Sequence, residues 1–203
     1  MNLDRAKSLA LLCLKFARVE RVTRHEDGKR PETDTDHTVM LSVIACDFCP
    51  DSLDRGKVAQ FALVHDLLEA DTGDVQTLTI DVAGRAAKAD AERAALERFR
   101  VTYGTDSWLV SCIEAYERQD TPEARYVRVM DKVMPKITHL FNGCIAAKNL
   151  TDQDGFYYSH SQQLRMFSRQ FEKVENPEAW VVETLDLLHA AMVASEKAWG
   201  QDS

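Results

Sequence analysis

Four side chains of this 203-residue sequence suit divalent-metal chemistry: His37, the adjacent pair His65-Asp66, and Asp131. A His-Asp pair carries little information alone. Here it lies in an otherwise apolar stretch, GKVAQFALVHDLLEA (56–70), where neighbouring ionisable groups are costly to bury unless they are paired or hold a metal. At roughly 100° per residue on an ideal helix, Asp66 stands about 100° and Glu69 about 40° from His65, while Leu67 and Leu68 point away at about 200° and 300°. His37 opens a second apolar stretch, and Asp131 adjoins the stripe Val127, Met130, Met134, Ile137. Two imidazoles and two carboxylates from three segments suit Mn, Co, Fe, Ni or Zn better than Ca, with positions left open for water and substrate. The plain alternative is a buried ion-pair network that serves the fold.

The segments that must position these groups read as helices. Residues 5–19 place Ala6, Leu9, Leu12, Cys13 and Phe16 at helical spacing, with Lys and Arg opposite. Residues 22–34 are a polar loop holding Gly28 and Pro31, after which Thr33, Asp34 or Thr35 can cap the next helix. That helix, 36–49, is apolar nearly all round and is expected to be central and buried. Residues 56–70 form another buried helix, closed near Thr72-Gly73. The segment with Thr77, Thr79 and Ile80 is too short to imply a sheet. Residues 82–100 are an Ala-rich surface helix with Glu/Arg pairs. Further helices are expected at 106–118, 122–149, 159–174 and 178–199. The expectation is all-α: one domain over 1–203, with a core at 8–145 and the helices of 159–199 packed on it.

Composition agrees. Eight Gly and five Pro are too few for a turn-rich β-sandwich or barrel, and 45% hydrophobic with 29% charged residues describes an ordinary folded chain. The net charge of −8 disfavours nucleic-acid and anionic-membrane partners. Residues 1–30 nevertheless carry eight Lys/Arg against four acids, which reads either as a solvated helix face or as a pocket wall for a small anion. Charges interrupt the first twenty residues, no apolar run reaches a membrane span, and the five Cys are an odd number. The thiols are therefore expected to be reduced in a cytoplasmic protein. Cys46 and Cys49 form a CxxC without a second pair at zinc-finger spacing, and read better as helix packing. The aromatic-rich C-terminal helices can pack internally or against a second subunit, as in a homodimer.

The pattern His37…His65-Asp66…Asp131 resembles the H…HD…D signature of the HD-domain metal-dependent phosphohydrolases. The blocks RPETDTDH (30–37), ALVHDLLEADTGD (62–74) and TPEARYVRVMDK (121–132) resemble their 5′-deoxynucleotidase-like branch, over roughly residues 8–145. The resemblance implies a compact helical bundle holding a divalent ion (Co, Mn, Ni, Fe, Zn or Mg) through His37, His65, Asp66 and Asp131. It also implies a catalytic role for Glu69 and a place for Asp74 in the nucleotide pocket. Arginines from the N-terminal loop, with Arg21, Arg24 and Arg30 as candidates, are implied to meet phosphate, and Lys132 is a further candidate.

Such groups support hydrolysis of a small (deoxy)nucleotide. A divalent ion acidifies water and polarises a phosphoryl oxygen, a carboxylate moves protons, and guanidinium groups bind phosphate oxygens in pairs. The preferred expectation is a 5′-nucleotidase releasing phosphate from deoxynucleoside monophosphates. Release of triphosphate from dNTPs and a non-catalytic nucleotide sensor are the alternatives. One departure stands out: members of this branch place a tryptophan beside the loop arginine, whereas Trp108, Trp180 and Trp199 lie elsewhere. Selection of deoxyribose is therefore not implied.

Overall fold

The computed structural model describes residues 2–75 and 82–143, together with positions 186, 187, 190 and 194. The elements run α1 (Leu3–Phe16), β1 (Glu20–Arg24), β2 (Pro31–Thr33), α2 (Asp34–Asp47), α3 (Arg55–Val64), α4 (Glu69–Thr72), α5 (Val82–Tyr103), α6 (Trp108–Arg118) and α7 (Pro122–Phe141). The helices expected at 159–174 and 178–199, and the Thr77–Ile80 segment, fall outside the contiguous described stretches.

Helix starts follow local chemistry. The Asn2, Asp54, Ser107 and Thr121 side chains each accept from backbone N–H groups of the helix that follows. At α2 the cap is Thr33, in a reciprocal capping box with Asp36. α6 ends where Gln119 turns left-handed, at φ 53°.

α3 is the centre of the bundle and packs on α2, α6 and α7, while α1 lies on α4, and α5 on α4 and α6. Leu41, Val58, Val64, Val110, Ile113, Tyr126, Val127, Met130 and Met134 are essentially inaccessible where these helices meet. Truncating Leu41 to Ala there removes three carbons from a close-packed site. Leu41→Ala is expected to destabilise the fold by roughly 2–5 kcal/mol, which chemical denaturation checks. A loss under about 1 kcal/mol would mean that the site collapses freely.

Three expectations need correction. The loop expected at 22–34 contains an antiparallel hairpin, with Glu20 opposite Thr33 and Arg24 opposite Pro31. Its turn closes because the Asp27 carboxylate accepts from the backbone of Lys29 and Arg30, with Gly28 at φ 69°. Helix α2 is buried only on its inner face: Val39, Val43 and Phe48 are more than half exposed. The third correction concerns the helix expected over 56–70. α3 stops at Val64, and Leu67, Glu69, Ala70 and Asp71 instead bond three residues back, to the carbonyls of Val64, Asp66, Leu67 and Leu68. This tighter winding carries the His-Asp pair.

α7 buries His139 beside Lys136. Burial, and then the Lys136 charge, lower its pKa from 6.5 to about 4. Between these values the unfolded chain binds a proton that the folded chain does not, so stability falls as pH drops from 6.5 to 4. The slope from this group approaches about 1.4 kcal/mol per pH unit. His139→Gln is expected to flatten the acid limb of a Tm-against-pH curve, and an unchanged limb would contradict the assignment.

Candidate metal centre

Two helices and one turn converge on four donor groups. α2 supplies His37, the turn after α3 supplies His65 and Asp66, and α7 supplies Asp131. One ligand atom from each lies within 4.8 Å of every other. His37 and His65 are 0% and 6% exposed, and their rings stand 5.4 Å apart. The ring of buried Tyr116 stands nearly perpendicular to that of His65, with centroids 6.3 Å apart. Pro135 lies one helical turn after Asp131 and has no N–H, so the backbone ladder of α7 is interrupted at the Asp131 carbonyl.

The decisive contact is at His65. Its Nδ1 faces the Ala62 carbonyl at 2.8 Å, and only a protonated Nδ1 satisfies that acceptor. In the neutral ring this leaves Nε2 bare. The bare nitrogen faces Asp66 Oδ2 at 2.9 Å and Asp131 Oδ1 at 3.8 Å, and has no hydrogen-bond partner. A lone pair beside carboxylates repels unless a cation lies among them. Burial pulls the His65 pKa down, but Asp66 and Asp131 outweigh it and raise it above 6.5: the carboxylates draw a cation to Nε2, a proton where no ion is held. Burial likewise pushes Asp131 up, yet Lys132 and the two imidazoles draw it well below the usual carboxylate range.

Spacing agrees with an ion. Metal bonds of roughly 2.1 Å at right angles separate ligand atoms by roughly 3.0 Å. His37 Nε2 lies 2.9 Å from Asp131 Oδ1, the same separation as between His65 Nε2 and Asp66 Oδ2. The donor set is two nitrogens and two oxygens. The residues fit a divalent transition ion.

A family model for the HD domain matches residues 14–165, most of the chain and all four donors. The chain belongs to the HD domain family. It is 28% identical over 133 residues to the human 5′-deoxynucleotidase HDDC2, covering 63% of this chain and 64% of that protein. It is 30% identical over 107 residues to the zebrafish (Danio rerio) 5′-deoxynucleotidase HDDC2, covering 52% of each. The matches thus span less than two thirds of these relatives. Among solved structures, a predicted metal-dependent phosphohydrolase from Magnetospirillum magnetotacticum has the same fold. Its TM-score is 0.73 at 18% identity, covering 97% of this chain and 96% of that one. A conserved hypothetical protein from Pyrococcus furiosus gives a TM-score of 0.52 at 19% identity, covering 88% and 98%. Among the described residues, no helix is long and apolar enough to cross a membrane.

Around the HD motif the remaining candidates separate. Arg21, on β1, directs Nη1 to Asp34 Oδ1 at 2.9 Å and to Asp66 Oδ2 at 3.0 Å. The turn brings Glu69 into the same cluster: Asp34, Asp66 and Glu69 each offer an oxygen within 4.8 Å of the others. Glu69 is 3% exposed and its Oε2 has no hydrogen-bond partner. Burial, and then Asp66, push its pKa up to about 9 against the opposing charge of Lys88. Asp74 is partly buried, and burial raises its pKa against the opposing charges of Arg21 and Lys88. Lys132 donates to Asp131 Oδ2 at 2.6 Å.

Arg24 and Arg30 are not brought into the cluster. Arg24 donates to the Lys29 carbonyl, and Arg30 contacts the His25 ring, so both guanidinium groups serve the hairpin. Sequence reasoning passed over Asp34 and Lys88. In the sequence Asp34 reads only as a helix cap, although it is fully buried, its Oδ2 has no hydrogen-bond partner among the described residues, and burial raises its pKa to about 6. Lys88 had no signal, being one of many charges on an amphipathic helix.

Proposed function

We propose that this protein is a divalent-metal-dependent phosphohydrolase that releases phosphate from (deoxy)nucleoside monophosphates. The observation that carries this reading is the His65 Nε2 set between the Asp66 and Asp131 carboxylates, with a buried Glu69 and the Arg21 guanidinium gathered around the same Asp66. The names of the HDDC2 relatives support the substrate class. His37, His65, Asp66 and Asp131 would hold the ion, which when bound supplies Lewis acidity toward a phosphoryl oxygen and acidifies water.

The chain's own residues do the rest. Burial and the Asp66 charge keep Glu69 protonated, and that charge would be offset with an ion on the four donors; the ionised Glu69 Oε2 would then accept a proton from the water that attacks phosphorus in line and pass it to the leaving 5′-oxygen. The P–O bond to the nucleoside breaks, and phosphate and a nucleoside leave. Asp34 and Asp66 engage only one nitrogen of Arg21; a guanidinium has five N–H donors, so others remain for phosphate oxygens. Asp74 lines the nucleotide side, and Lys132 adds positive charge next to Asp131. Arg21→Ala is expected to weaken transition-state binding by about 2–4 kcal/mol, read as a loss in kcat/KM. A wild-type kcat/KM would remove Arg21 from the phosphate site.

A product assay across dNMPs and dNTPs with Mn, Co or Ni tests the function. Inorganic phosphate from dNMPs is the expected result. Tripolyphosphate from dNTPs would replace it with a triphosphohydrolase, and binding without turnover would indicate a sensor.

A further inference from the structure

We propose that Lys88 of α5 is a positioning residue that holds Glu69 in its working orientation; this rests on the function proposed above. Glu69 begins α4, a helix of four residues that follows a turn with no side-chain cap. Nothing in that backbone fixes the carboxylate. Lys88 does so from another helix: its Nζ lies 2.9 Å from Glu69 Oε1, with a second contact of 3.5 Å to Glu92 Oε1 one turn along α5.

The two oxygens of Glu69 thereby become unlike. Oε1 is occupied by the ammonium, whereas Oε2 is buried and unpartnered among the described residues. A carboxylate that must exchange protons with water and with a leaving oxygen needs one face anchored and the other free. The side chains of Lys88 and Glu69 are 18% and 4% exposed, so water cannot readily replace the ammonium as partner. Without Lys88, Glu69 would be a buried carboxylate with both oxygens unsatisfied, and it would rotate away from Asp66 to recover hydration. Lys88 also offsets part of the negative charge gathered at Asp34, Asp66 and Glu69, without itself taking the place of a donor atom.

Lys88→Met, nearly isosteric and uncharged, is the direct test. Because partners that orient such groups typically matter by 10–100-fold, kcat for a dNMP is expected to fall by roughly that factor. KM should stay within about threefold, and metal content should be unchanged. Lys88→Arg, which can still donate to Oε1, is expected to recover much of kcat. A crystal structure of metal-free Lys88→Met should show the Glu69 carboxylate turned from its present position. If Lys88→Met does not fold, Lys88→Gln, which keeps a donor without the charge, is read against Lys88→Arg in the same way.

Wild-type kcat in Lys88→Met with Glu69 unmoved would overturn the proposal. A rise in KM at constant kcat would also overturn it, making Lys88 a phosphate ligand instead. If the wild type hydrolyses no nucleotide, the functional reading fails, while the Glu69 orientation in the variant crystal still decides the role of Lys88.

Discussion

Glu69→Ala is expected to lower kcat by roughly 10²–10⁴-fold while the protein keeps its metal and its fold. Glu69 offers an oxygen to the Asp34–Asp66 cluster but is not among the four donors around His65, so removing it leaves the ion's site intact. It is nevertheless buried with one free oxygen, which suits a group that takes and returns a proton. Glu69→Gln separates two roles, because it keeps the shape and the contact with Lys88 but cannot accept a proton. If Glu69 only orients water, Glu69→Gln retains most of kcat; if it moves the proton, Glu69→Gln is as slow as Glu69→Ala. Full turnover in Glu69→Ala would remove it from the chemistry. Steady-state kinetics with metal analysis of each variant reads all three outcomes.

His65→Ala and Asp131→Asn are expected to abolish both metal binding and turnover. Each removes one donor from a site that has only two imidazoles and two carboxylates. The consequence extends beyond activity, because an ion that binds only the folded state raises stability by mass action, about 2.7 kcal/mol at a concentration 100 times its Kd. Wild-type Tm should therefore rise on adding Mn, Co or Ni and fall with a chelator. In either variant, Tm should not respond. A Tm shift retained in His65→Ala would mean that the ion sits elsewhere, for instance at Asp34, Asp66 and Glu69.

The quartet was legible in the sequence because burying His65-Asp66 in an apolar stretch is costly, and that cost left a visible signature. His37 and Asp131 were found by their places in equally apolar neighbourhoods, and the structure puts both within reach of His65. The geometry invoked for Glu69 was different. It is not one turn along a continuous helix; a tight turn after Val64 brings it to Asp66. Residue types do not reveal that break, since VHDLLEA reads well as helix. The trigger is local: the His65 ring takes the Ala62 carbonyl at the point where α3 stops.

The hairpin was missed for another reason. Its strands are five and three residues long and rich in charge, too short for alternation to show. Yet they seat Arg21 between Asp34 and Asp66, while Arg24 and Arg30 remain with the turn. The Asn142 side chain, just past α7, donates to the carbonyls of Arg24 and His25 and ties the hairpin to the helix that carries Asp131. Those tertiary contacts, which residue types do not reveal, set Arg21 apart from Arg24 and Arg30 in position. Lys88 lay beyond sequence reasoning because its partner, Glu69, is nineteen positions away on another helix.

The most direct measurement follows the oxygen. A dNMP is incubated with wild-type protein in ¹⁸O-water with and without divalent metal, and the products are weighed by mass spectrometry. The account predicts metal-dependent release of phosphate carrying one ¹⁸O and an unlabelled nucleoside. Label in the nucleoside, release that survives a chelator, or no phosphate with any of Mn, Co and Ni would contradict it.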